Sequence, residues 1–166
     1  MDPLRISKIV MVAGLAVYAL LVAFGNITDY DSNFAFVQHT LNMDTTFPGN
    51  HLMYRAITTP TLHHAAYWLI IAGEALAGLL LVQGTWRLWQ ARAASAAAFA
   101  VAKRPVVLGI TIAFLVWFVG FLVIAGEWFA MWQSATWNGQ ESAFRVLAAF
   151  LLVTIFVMQP KERASA

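Results

Sequence analysis

Residues 105–126, PVVLGITIAFLVWFVGFLVIAG, run without a charged side chain, and Lys103 and Arg104 stand immediately before them. At 1.5 Å per residue a helix over this stretch is about 33 Å long, enough to cross a hydrocarbon core of about 30 Å. A barrel strand needs only about 9–11 residues, and an isolated segment in lipid must bond its own backbone, so the stretch reads as a spanning helix. Outward from it the pattern repeats. Ile9–Phe24 is free of charge, Leu62–Val82 carries only Glu74, and Val146–Met158 is free of charge after Arg145. With their flanks these give expected spans at about 8–26, 61–85, 105–126 and 143–159, joined by loops 27–60 and 127–142 and by a link 86–104.

The composition agrees with immersion in lipid. Hydrophobic residues make up 61% and charged residues 11% of the chain, against about 45–50% and about 25% in soluble domains. The expected fold is an all-α, single-domain bundle of four transmembrane helices.

Basic residues set the expected orientation. Arg5 and Lys8 precede the first span, Arg87, Arg92, Lys103 and Arg104 fill the link, and Lys161 and Arg163 follow the last span. All of them fall on one side, which the positive-inside rule makes cytoplasmic, with both termini there. Arg55 and Arg145 fall on the other side and so call for specific partners. Dispersed basic groups and a net charge of +2 give no nucleic-acid signature. The absence of cysteine excludes disulfides, thiolate metal sites and thiol catalysis. The basic start and the Ala23-Phe24-Gly25 exit of the first span resemble a secretory leader, but the apolar run is long for one, so a retained span is expected.

The first outer loop is too long to lack structure. Asp31 or Ser32 can cap a short helix with Phe34, Val37 and Leu41 on one face; Pro48-Gly49 reads as a turn; Asn50 can cap a second short helix carrying Leu52, Met53, Ala56 and Ile57. Together they are expected to lie on the membrane surface as a lid. Thr59-Pro60 reads as the cap and first turn of the second span. In the link, Trp86, Arg87, Trp89 and Arg92 followed by an alanine-rich run suggest an interfacial helical hairpin against anionic lipid. The second outer loop holds Trp128, Phe129, Trp132 and Trp137, as an aromatic belt or a ligand-stacking wall. Leu69–Glu74 and Leu122–Glu127 differ only at Ile70 and Val123, an echo that does not extend outward and reads as coincidence.

Glu74 is the residue most costly to place. Counted from Leu62 it lies about 18 Å down its helix, near the bilayer centre. A carboxylate there costs at least about 2.5–3.5 kcal/mol, so it should face the bundle interior or be neutral. Tyr18, Trp117 and Thr154 are expected at similar depth as hydrogen-bond partners, and Tyr67 shares its helix face. This intramembrane polar site is either a structural tie between helices or a proton- or ligand-binding carboxyl. Gly73 with Ala77, and Gly109 with Ala113, are spaced to let helices approach closely.

His39, His51, His63 and His64 all lie on the outer side with Asp29, Asp31, Asp44, Met43 and Met53. Such residues can hold copper, zinc or haem, although no ligand-pair spacing occurs among them. Glu127 and Arg145 are expected to form a structural ion pair, and Arg55 to meet Asp29, Asp31 or Asp44. No nucleophile–base constellation, phosphate-binding loop or H-E-x-x-H motif is present.

The runs Asn26–Asn33, Phe36–His39, Met43–Gly49, His64–Trp68 and Trp137–Gln140, with Glu74, resemble a bacterial family of predicted small integral membrane proteins of unknown function. The resemblance covers nearly the whole chain and implies a multi-pass protein of the bacterial inner membrane. The first loop is then periplasmic. The layout is also similar to claudin-like proteins in architecture alone, because the tryptophan and cysteine pattern of the claudin loop is missing.

The leading functional expectation is a non-catalytic subunit or accessory factor whose periplasmic loop, with Asp29, Asp44, Phe47 and Arg55, binds a membrane-protein partner, a second copy or lipid. No resident cofactor belongs to that reading. The alternatives are a haem- or metal-handling module built on the histidines, and a small proton-coupled carrier centred on Glu74.

Overall fold

The computed structural model describes residues 2–160, so Lys161 and Arg163 of the basic tail lie outside the described residues. All regular structure in it is helical. In chain order the helices are α1 (Pro3–Thr28), α2 (Tyr30–Asn42), α3 (Pro60–Gln90), α4 (Ala96–Ala102) and α5 (Arg104–Phe114), the last continuing without a break into a π-helical segment Leu115–Trp128. α6 (Gln140–Met158) follows, and single 3-10 turns occupy Met53–Arg55 and Met131–Gln133. Four helices are long and apolar enough to cross a membrane.

α3 is the central rod. It packs antiparallel against α1 on one side and against α5 on the other. Small residues set these distances, as expected where apolar burial itself drives little association in lipid. A Cβ on Gly78 would stand 2.7 Å from the Leu20 side chain and 3.2 Å from its backbone nitrogen. One on Gly84 would stand 2.6 Å from Val106. Gly109 and Ala113 of the expected close-packing pair lie on the buried face of α5, with Gly109 against Ala77 and Leu81. Gly73 meets Val116 instead.

Cations tie the end of the bundle that carries the N-terminus. Arg5, 2% exposed, donates to the carbonyls of Arg92 (3.2 Å) and Ala94 (2.6 Å) just beyond α3, and its guanidinium lies 4.8 Å over the Phe99 ring. Lys8 is fully buried and donates to the Gln159 carbonyl at 2.8 Å, just past α6. Carbonyls left over at helix C-termini carry partial negative charge, so cations suit both positions. The link folds as α4, capped by Ser95 Oγ, which accepts from Ala98 N at 3.3 Å.

At the opposite, loop end the chain departs from a surface lid. α1 breaks at Asp29, and α2 continues along α3, burying Val37 against Tyr67 and Ile71. Residues 43–59 then fold back, with Ile57 N donating to Leu41 O at 2.8 Å. The second short helix expected after Asn50 is only the turn Met53–Arg55, although Asn50 Oδ1 does accept from Leu52 N at 2.9 Å. Too few residues separate this cap from the extended approach to Pro60 for a longer helix. The two loops lock together. Gln133 Oε1 accepts from Phe47 N (3.1 Å) and Asn50 Nδ2 (3.2 Å), and Thr45 Oγ1 donates to Ser134 Oγ at 2.8 Å. Met43, Phe129 and Ala130 form a small buried core beneath them.

Candidate functional site

The buried polar centre lies between α1 and α3. Glu74, 2% exposed, accepts from Asn26 Nδ2 at 2.7 Å, and Tyr67, two turns earlier on the same face, donates its hydroxyl to the Asn26 carbonyl at 3.0 Å. Asn26 stands close to the end of α1, so Glu74 is level with the loop-end boundary of that helix. On its other side the adjacent Gly73 packs on Val116, midway along the uncharged stretch 105–126, so Glu74 is level with the end of α1 and with the middle of that stretch. α3 projects beyond the end of α1 and carries α2 on that projection. From Lys8 to Thr28, α1 covers about 30 Å, and Asn26 in its last turn is the residue that meets Glu74.

Two expected partners lie elsewhere. Thr154 is in the last turns of α6, at the opposite end, and donates to Phe150 O at 2.7 Å within its own helix. Trp117 packs its ring on Phe150 at 5.2 Å and on Tyr18 at 6.4 Å. Tyr18 faces outward at 42% exposed and makes no hydrogen bond to Glu74 among the described residues. Of the expected polar site, Tyr67 is joined to Glu74 through Asn26, which sequence reasoning missed. Its signal was its place, a lone amide in the last turn of an apolar span, legible only once the α1–α3 register is known.

Above this centre stands an aromatic column. The Tyr30 ring lies 4.7 Å from Tyr67, His64 stacks on Phe34 at 4.1 Å, and the Tyr30 hydroxyl is 2.8 Å from His64 Nδ1. Burial first, and neighbouring Asp31 second, push the Tyr30 hydroxyl above its ordinary value of 10.0, which keeps it a donor toward that nitrogen. The Tyr30 hydroxyl thus bonds upward and the Tyr67 hydroxyl bonds to backbone. Ring contacts, not hydrogen bonds, join the two halves, and the column ties α1, α2 and α3 together.

The four histidines are not gathered into a metal centre. His63 is buried and its Nε2 meets Ile57 O at 2.7 Å; His64 serves the aromatic column; His39 Nδ1 pairs with Asp44 at 2.9 Å and stacks on Trp137 at 4.7 Å; His51 is exposed. Among the described residues no group of three or more His, Cys, Asp or Glu could hold an ion. Adjacent positions on α3 send His63 and His64 to different neighbours, and the loop fold separates the other two.

The Glu127–Arg145 ion pair is also absent. Arg145 Nη2 donates to Ser142 Oγ at 3.2 Å and faces α1 across a groove, whereas α6 meets the π-helical segment through Gln140, packed on Gly126. Arg55 meets none of Asp29, Asp31 or Asp44. It donates to Trp128 O at 3.2 Å and lies 4.5 Å over the Trp128 ring. Asp29 accepts from Ser32 Oγ at 2.8 Å. The sequence echo has no structural counterpart, since Glu74 is buried on an α-helix and Glu127 exposed on the π-helical segment.

Packing consumes Phe129 and most of Trp137, but a rim of rings stays open at the loop end. Phe47 (55% exposed) sits edge-on to Trp132 (48%) at 5.7 Å, and Arg55 lies between exposed Tyr54 and Trp128.

No curated protein and no solved structure is significantly similar to this chain. A family model does match, over residues 4–160. The chain therefore belongs to the family described as predicted small integral membrane protein (DUF2165).

Proposed function

We propose that this integral membrane protein is a non-catalytic subunit or accessory factor of the bacterial inner membrane, and that its loop end is a periplasmic head that recognises a protein partner. The observation that carries the proposal is the exposed rings on two interlocked loops, Phe47 edge-on to Trp132 and Arg55 between Tyr54 and Trp128. Aromatic rings and arginine are the side chains that concentrate binding energy at interfaces, and a pre-ordered head loses little entropy on docking. Asp44 adds to the polar border such a surface needs, while Asp29 stands at the other end of α2. The orientation rests on Arg5, Lys8, Arg87, Arg92, Lys103 and Arg104, which all stand toward the other end.

Photo-crosslinking from position 47 or 132 in intact membranes tests this. The expected product is a discrete protein adduct that Arg55→Ala weakens and that the lipid-facing control position 17 does not form. Adducts to lipid alone at all three positions would make the rim an interfacial aromatic belt and defeat the proposal. Single cysteines, clean in a chain without native ones, test orientation: an impermeant maleimide should label Asp44→Cys on intact spheroplasts and Ser95→Cys only after lysis.

A further inference from the structure

Among the described residues Arg145 is a cation without an acid. It lies five residues into α6, a helix of about 28 Å, so its Cα sits about 7 Å below the loop-end terminus of that helix. Glu141, one turn earlier, and Glu127 are both exposed, yet neither pairs with it; its one polar contact among the described residues is Ser142 Oγ at 3.2 Å. Arg145 and Ser142 line a groove of about 600 Å³ between α1 and α6, open to the side of the bundle, with Gly14, Leu15, Tyr18 and Phe150 along its floor and walls. Helix side chains lean toward the helix N-terminus, which for α6 is the loop end, so the guanidinium reaches toward the headgroup layer while its stem lies along the groove.

We propose that this groove seats a phospholipid of the loop-end leaflet, its phosphate on Arg145 and Ser142 and one acyl chain along Gly14 and Leu15. A guanidinium at this depth facing lipid needs an anion, and a phosphodiester matches its planar fork as a carboxylate would. The hydroxyl beside it supplies a further donor. Below the charge the lining is apolar, and Gly14 has open space above its Cα, which leaves room for a chain and distinguishes a lipid from a free anion. The groove bounded by Ile9, Trp86 and Trp89 on the other side of α1 has apolar walls but no cation lining it, and serves as the internal control.

Native mass spectrometry of the full chain in detergent, titrated with phosphatidylglycerol, tests the site. One lipid per chain should be retained, with affinity at least tenfold above that for diacylglycerol, which lacks the phosphate. Arg145→Ala should lose that margin, Arg145→Lys keep part of it, and Trp86→Ala leave it unchanged, all at equal helicity. Equal binding of diacylglycerol by the native chain, displacement by millimolar inorganic phosphate, undiminished binding by Arg145→Ala, or an Arg145-dependent dimer formed without lipid would each overturn the proposal, the last assigning the groove to a second copy.

Discussion

Replacing Asn26 by alanine should cost the fold more than any conservative change at Glu74. The amide is the one side chain bonded to the Glu74 carboxyl among the described residues, at 2.7 Å, and the glutamate is 2% exposed, so water cannot take its place. Hydrogen-bonded pairs between membrane helices couple by about 0.6 kcal/mol on average and about 1.7 kcal/mol at most. Stranding a buried polar group adds a desolvation penalty of about 1–3 kcal/mol. Asn26→Ala is therefore expected to lose about 1.5–3 kcal/mol, whereas Glu74→Gln, whose carbonyl still accepts, loses under about 1 kcal/mol. The Tyr67 hydroxyl bonds the backbone of Asn26, not its side chain, so Asn26→Ala leaves that bond intact and isolates the amide–carboxyl contact. A double-mutant cycle with Glu74→Leu, read by reversible unfolding in bicelles or mixed micelles and followed by helical circular dichroism, should give a coupling of about 1 kcal/mol. Coupling below about 0.3 kcal/mol, or Glu74→Gln as damaging as Asn26→Ala, would show that the carboxyl is not a tie between α1 and α3.

Two further outcomes follow from other parts of the fold. Arg5→Met removes both charge-assisted bonds to the Arg92 and Ala94 carbonyls and should lower stability by about 2–3 kcal/mol, with faster proteolysis at the turn 91–95; unchanged cleavage there would refute the capping role. Tyr30 has a raised pKa in the folded chain, so its contribution is complete below the unfolded value and is lost as pH rises. Stability of the loop end should fall above about pH 10, and Tyr30→Phe should flatten that fall, as checked by hydrogen exchange across α2.

How much of the candidate site could be read in the chain differs residue by residue. Glu74 announced itself, because a carboxyl inside an apolar run has a cost that does not depend on its neighbours. Tyr67 followed from helical spacing on the same helix. Asn26 did not, because its role depends on which residue of α1 faces which residue of α3, and small-residue contacts such as Gly78 on Leu20 set that register. Thr154 was misplaced for the same reason, since depth counted along one helix says nothing about the end at which a neighbour begins.

By itself the sequence determined the medium, the helical class, the number of long apolar helices and the clustering of basic residues toward one end. All of these depend on transfer free energies and charge, which sum along a chain without knowledge of contacts. Only the tertiary structure decided that α2 extends alongside α3 instead of lying flat, that the histidines are dispersed, that Arg5 and Lys8 cap helix ends and that Arg145 looks onto a groove. Each of these depends on which side chain meets which across helices, and close packing between small residues selects one arrangement that hydropathy leaves open.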